Sequence, residues 1–184
     1  MVTPIKLMVV LGSGGHTAEM LALTRQLDKS RFQPRCYVVA ATDALGPTKA
    51  AASEQVQDDP EHSVKKWSVR SLPRSREVGQ SYVTSLWSTF KATGAAIKIV
   101  WQETPQVVLI NGPGTCIPIC VAAFLLRLVG RDSRIVYVES IARVTKLSLS
   151  GWLLYISQLA DITFVQWPEL QRKYPKSVYA GRVF

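Results

Sequence analysis

Short apolar runs alternate along the chain with longer stretches of helical periodicity. Residues 5–11 form an almost continuous apolar run, the pattern of a strand buried on both faces. Gly12-Ser13-Gly14-Gly15 ends it, and residues 17–27 then carry Met20, Leu21, Leu23, Thr24 and Leu27 at helical spacing. The alternation continues, with strands predicted over 36–41, 64–72, 106–110, 134–138 and 162–165. Helices are predicted over 47–57, 81–102, 117–129 and 147–159, with a last turn or helix over 169–173. Repeated strand–helix units predict a parallel sheet with right-handed crossovers and helices on both faces. The expected fold is therefore α/β, a Rossmann-like doubly wound parallel sheet. No linker or low-complexity segment interrupts it, so residues 1–184 read as one domain.

In such sheets ligands bind beyond the carboxyl ends of the strands, where the strand order reverses. The residues predicted there belong together: Gly12-Ser13-Gly14-Gly15-His16-Thr17 after the first strand, Asn111-Gly112-Pro113-Gly114-Thr115 after the fourth, and Glu139-Ser140 after the fifth. Glycines let the backbone turn tightly and approach a ligand. A helix that follows directly aims free N–H groups outward with its dipole behind them, which suits a phosphate or diphosphate. The plainer alternative is that glycine turns merely join strand to helix. A dinucleotide fingerprint fits poorly. Thr17 stands where its third glycine belongs, and Asp43 lies well beyond the ~20 residues at which its acid is expected.

His16, at the junction of loop and helix, can contact a phosphate or accept a proton from a hydroxyl; it can also simply cap the helix. Glu19, one turn on, can cap the same turn. Glu139 ends a strand of Ile, Val and Tyr, so its carboxylate needs donors, for which Arg143 or backbone amides would serve.

Charge sharpens the choice of partner. Lys and Arg number 22 against 13 Asp and Glu, a net +9, which favours anions such as nucleotides, phosphorylated lipids or an acidic membrane face. The apolar share of 47% with 19% charged excludes disorder and a coiled coil. No pattern for nucleic-acid binding accompanies the charge. Lys65, Lys66, Arg70, Arg74 and Arg76 lead into the long fourth-strand approach helix. There Trp87, Phe90, Ile97 and Trp101 are interspersed with Lys91 and Lys98. A basic amphipathic helix with tryptophans suits a membrane surface, though a crossover helix with a solvated face has the same pattern. No signal-peptide pattern opens the chain, and no apolar run approaches the ~20 residues that span a bilayer. Cys36, Cys116 and Cys120 suit a reducing compartment, and with only His16 and His62 beside them they predict neither disulfides nor a metal site.

Several segments together resemble one family. Val10-Leu11-Gly12-Ser13-Gly14-Gly15-His16-Thr17-Ala18-Glu19-Met20-Leu21 resembles the opening of the acceptor-side, membrane-recruiting subunit of the eukaryotic two-part UDP-N-acetylglucosamine transferase of the dolichol pathway of asparagine-linked glycosylation. Asn111 to Thr115, Val138 to Arg143, Leu147 to Gly151, Val165 to Pro168 and Tyr174 to Val183 are similar to its later motifs. The resemblance implies the N-terminal half of a GT-B glycosyltransferase, related to the bacterial transferase that completes the lipid-linked peptidoglycan precursor. A small partner subunit would supply the donor half and most of the UDP-N-acetylglucosamine site. The pair would add a second N-acetylglucosamine to GlcNAc-diphosphodolichol with inversion, on the cytosolic face of the endoplasmic reticulum membrane, and this chain would be inactive alone. Carried onto this sequence, the resemblance implies His16 and Glu139 as candidate catalytic groups. It implies Gly12, Ser13, Gly14, Gly15, Thr17, Asn111, Gly112, Gly114 and Thr115 at the acceptor diphosphate, and requires no cofactor or metal. Family members commonly begin with a hydrophobic anchor helix, whereas the first strand here begins by Ile5. Either such an anchor has been removed, or attachment falls to the helix carrying Trp87, Lys91, Lys98 and Trp101.

Overall fold

The computed structural model describes residues 3–55, 66–74, 82–112 and 114–183, with side chains from 88 onward in the helix that starts at Tyr82. In chain order the elements are β1 (Leu7–Val10), α1 (Gly15–Gln26), β2 (Arg35–Ala40), α2 (Gly46–Gln55), β3 (Trp67–Leu72) and α3 (Tyr82–Glu103). They continue with β4 (Val107–Ile110), α4 (Cys116–Leu128), β5 (Arg134–Val138), α5 (Leu149–Ser157), β6 (Ile162–Val165), α6 (Pro168–Lys173) and β7 (Val178–Tyr179). The described strands form one sheet in the order β3-β2-β1-β4-β5-β6-β7, with every neighbouring pair parallel. This is the expected doubly wound sheet, with its order reversing between β1 and β4.

The period of two along the strands decides which helix covers which face. Met8, Val10, Cys36, Val38, Val108, Ile110, Ile135 and Tyr137 pack with α3, α4 and Leu154 of α5. Their neighbours Leu7, Val9, Tyr37, Val39, Leu109 and Val138 pack with Met20 and Leu21 of α1 and Ala50 of α2. β1 and β2 are buried along their whole length, which in β2 includes Arg35, one residue ahead of the predicted start.

Boundaries moved for local reasons. α5 starts two residues later than predicted because Ser148 is its N-cap, extended at φ −60° and ψ 164°, with its hydroxyl accepting from Gly151 N at 3.0 Å. It stops at Ser157 because Gln158 turns into the left-handed region at φ 55°. The two-residue β7 was not predicted, being too short for an alternating pattern to register. Positions 56, 57, 64, 65 and 81 of the predicted elements lie outside the described residues.

Candidate active site at the reversal of strand order

Val10 pairs with Ile110, so the loops after β1 and β4 open side by side at one edge. In the first loop Gly12 is buried while Ser13, Gly14 and Gly15 are exposed. Gly14 takes φ +61°, a backbone suited to glycine, and stands at the N-cap of α1 without a side-chain cap bond. Thr115 at the N-cap of α4 makes no side-chain cap bond either. Two helix N-termini thus present first-turn N–H groups at the same edge, whereas α5 is capped by the Ser148 side chain. Amides and dipole together suit an anion.

Some predicted ligands are spoken for. Thr17 is buried and donates its hydroxyl to Gly12 O at 2.7 Å, closing the glycine loop from within. Thr115 is buried too. Asn111 is fully buried and holds two neighbours instead of facing open space. Its Nδ2 donates to Glu19 Oε2 at 2.8 Å, and its Oδ1 lies 2.7 Å from His16 Nδ1. The second oxygen of Glu19 accepts from Ser140 Oγ at 2.8 Å. Glu19 therefore ties α1 to the ends of β4 and β5, a larger role than capping one turn. His16 itself is one-third exposed, and its Nδ1 is 3.7 Å from Glu19 Oε2. Gly112, at φ +86°, lies beneath the imidazole ring.

Glu139 lies deeper than its position at a strand end suggests. It is fully buried, and its oxygens accept from Tyr137 OH (3.1 Å), Ser140 N (3.1 Å) and Ser148 N (2.8 Å). Arg143 is exposed and is not among these donors. Of the donors the sequence suggested for Glu139, backbone amides are the ones present, and with three internal donors and no exposure its lone pairs are taken up within the fold. Burial next to this carboxylate pushes the Tyr137 hydroxyl well above its ordinary value, so it stays a donor.

The chain around Glu139 joins distant segments. Gln166 Nε2 donates to Glu139 O at 2.9 Å, and Trp167 Nε1 to Ile141 O at 2.7 Å. Gln166 Oε1 in turn accepts from Val183 N at 3.1 Å, and the Arg182 guanidinium lies 4.8 Å from the Trp167 ring centre. Val183 packs into the core against α1, and Phe184 lies outside the described residues. Asp43 caps α2 by accepting from Leu45 N and Gly46 N at 3.2 and 3.1 Å, so it is not held ready for a ribose. Cys36, Cys116 and Cys120 are buried free thiols, and burial pushes Cys36 up to about 11 and Cys116 to about 12. A cavity of about 240 Å³ lined by Gln158, Asp161, Thr163 and Lys176 lies at the opposite edge, near the start of β6.

The model of the family described as "Oligosaccharide biosynthesis protein Alg14 like" matches residues 7–183. The chain belongs to the Alg14-like family. It is 46% identical to the mouse protein named UDP-N-acetylglucosamine transferase subunit ALG14, over 99% of this chain and 86% of that one. The human protein of that name is 44% identical over the same shares. The Yarrowia lipolytica protein is 42% identical over 96% of this chain and 80% of its own. Among solved structures, Acinetobacter baumannii MurG superposes with a TM-score of 0.63 at 19% identity, over 90% of this chain and 43% of MurG. A UDP-N-acetylglucosamine 2-epimerase-like structure from Listeria monocytogenes superposes with a TM-score of 0.61 at 16% identity, over 95% of this chain and 42% of that one. The last two likenesses establish the fold, and this chain spans less than half the length of either.

The Alg14-like chain has an uneven surface. On α3, Phe90, Lys91, Lys98 and Trp101 are exposed while Ala92, Ala96, Ile99 and Val100 are buried; the side chain of Trp87 lies outside the described residues. The adjoining α4 exposes Phe124 and Leu128. The helix predicted over 147–159 is α5, and it carries an exposed apolar face that the sequence did not single out. Its buried residues are Ser150, Gly151 and Leu154, and its exposed ones are Leu149, Trp152, Leu153 and Ile156, at spacings of three and four. The periodicity was visible in the sequence, but not which face it marked. Among the described residues no helix is long and apolar enough to cross a membrane.

Proposed function

We propose that this chain is the acceptor-binding subunit of a UDP-N-acetylglucosamine transferase. What carries the reading is the family match over 7–183, with relatives at 44–46% identity named as that transferase's subunit. In this reading the acceptor is a lipid-linked N-acetylglucosamine diphosphate. Its diphosphate meets the exposed amides of Ser13, Gly14, Gly15 and Gly114, while Gly12, Thr17, Asn111, Gly112 and Thr115 shape the loops behind them. A partner subunit holds UDP-N-acetylglucosamine, as the chain's span of 43% of MurG suggests.

The chemistry asked of this chain is proton removal. The acceptor hydroxyl gives its proton to Nε2 of His16 as its oxygen bonds to the anomeric carbon. The bond from that carbon to the diphosphate oxygen breaks, and UDP leaves with the electron pair, inverting the centre. Glu139 takes no proton; it carries the loop.

Transfer of N-acetylglucosamine from UDP-sugar to a short-chain lipid-diphosphate acceptor tests the reading, with this chain, the partner and the mixture assayed separately. Activity is expected only in the mixture. Turnover by the chain alone would place the donor site here, and an inactive mixture would end the proposal. In an active mixture, His16→Ala should lower kcat about a hundredfold or more, and near-normal turnover would leave the chain a scaffold.

The same reading places the chain on the cytosolic face of the endoplasmic reticulum, with the α3–α5 layer against the bilayer. Exposed Phe90, Trp101, Leu149, Trp152 and Ile156 beside Lys91, Lys98 and Lys146 suit an anionic surface. Flotation with phosphatidylserine vesicles at low salt is expected, and should be lost in Trp152→Gln/Ile156→Gln. Flotation unchanged by that pair would remove α5 from the contact.

A further inference from the structure

We propose that Glu19 is a positioning residue that acts through the Asn111 amide to hold His16 in the Nδ1–H tautomer, leaving Nε2 with its lone pair. The inference deepens the proposed function, since it concerns the group assigned there as base.

The hydrogen bonds leave one consistent arrangement. Glu19 accepts at one oxygen from Ser140 Oγ and at the other from an Asn111 amide atom 2.8 Å away. An ionised carboxylate only accepts, so the amide atom facing it must be the NH2 group. Were Asn111 turned over, its carbonyl would stand 2.8 Å from a carboxylate oxygen with no proton between them. The carbonyl therefore faces the ring, 2.7 Å from His16 Nδ1. A carbonyl also only accepts, so Nδ1 must carry the hydrogen. One proton remains at Nδ1 in the neutral ring, and Nε2 is left bare. Among the described residues Nε2 has no hydrogen-bond partner, on a side chain one-third exposed.

The relay does two further things. It fixes the plane of the ring, because Asn111 is fully buried and gripped at both ends. It also keeps the Glu19 carboxylate 3.7 Å from Nδ1, too far for a direct hydrogen bond, so the contact between them runs through the Asn111 amide. Three elements contribute: Glu19 from α1, Asn111 from the end of β4 and Ser140 from the end of β5. A plain structural tie would need no such sequence of donors and acceptors, and that difference is measurable.

The chain has two histidines, so His62→Gln leaves His16 as the sole imidazole. Nitrogen-15 spectra of that variant, labelled at histidine, read the tautomer directly at alkaline pH. Nδ1 should resonate as the protonated nitrogen and Nε2 as the bare one. The reverse assignment would overturn the proposal, whether or not the chain serves a transferase. Adding Glu19→Gln removes the charge that orients the amide. A rise in the Nε2–H form is expected, with circular dichroism unchanged. In the complex, kcat should fall about tenfold at near-constant KM, less than the ~10²–10⁴ that the general base itself supplies. If Glu19→Gln folds and leaves the tautomer untouched, Glu19 is a structural tie only. If the tautomer shifts as expected and the complex never had activity, the relay stands and the functional reading fails.

Discussion

The imidazole of His16 rests on the α-carbon of Gly112. A Cβ built at Gly112 would stand 2.5 Å from His16 Nδ1 and 2.7 Å from its Cγ and Cε1. Glycine is needed there twice, since the residue also takes φ +86°. Gly112→Ala should therefore displace the ring as well as strain the backbone by about 1–2 kcal/mol. The expected result is a modest loss of stability with a loss of transfer approaching that of His16→Ala. Unchanged turnover would show that the ring position is not required.

Glu139 predicts the opposite balance. Its three donors make charge-assisted bonds that Glu139→Gln would weaken, at a cost of about 1.5–3 kcal/mol for a buried group of this kind. Urea denaturation should show the loss. Transfer per folded molecule should suffer less than in His16→Ala, because the carboxylate touches no reacting atom. Gly151→Ala should resemble it, as the new Cβ would lie 2.5 Å from Glu139 Oε2.

On the other face of the sheet, Glu54 is nearly buried and accepts from Arg35 Nη1 at 3.2 Å and Tyr37 OH at 2.5 Å, with Lys29 Nζ 3.1 Å away. Removing one member of such a group leaves an unpaired buried charge on Arg35. Glu54→Ala should cost about 3–5 kcal/mol in denaturant melts. A loss under 1 kcal/mol would mean that water reaches Arg35 once Glu54 is gone.

The thiols set an alkaline limit. Cys36 and Cys116 rise from 9.0 to about 11 and about 12, and Cys120, Tyr37 and Tyr137 are raised as well, all chiefly by burial. A raised folded value means the unfolded chain loses these protons first. The stability they contribute is whole below about pH 9 and is lost as pH climbs through 11. The urea midpoint should fall steadily above pH 9, and Ellman's reagent should find no fast thiol at pH 8. A flat midpoint to pH 11 would contradict the burial.

The alternation of strands and helices and the parallel sheet were legible because an unbroken apolar run, a glycine break and a helical period repeat along the chain, and parallel sheets admit few ways of closing that pattern. The glycine loops were legible for the same reason: glycine at a strand–helix junction limits what can stand there. The partners of polar groups were not legible. His16 and Glu19 come from α1, Asn111 from the end of β4 and Ser140 from the end of β5, and nothing local says which donor meets which acceptor. Nor does spacing reveal depth, so Glu139 looks like a cleft carboxylate until Tyr137, Ser140 and Ser148 are seen closing around it. In α5 the periodicity was plain, but Gly151 faces inward where Glu139 and Tyr137 leave no room for a side chain, while Trp152 and Ile156 lie outward. The sequence by itself determined which elements form and in what order, because hydrophobic period and backbone freedom are local properties. Tertiary structure alone decided which polar groups are consumed by the fold and which remain for chemistry, because hydrogen-bond satisfaction is settled between segments far apart in the chain.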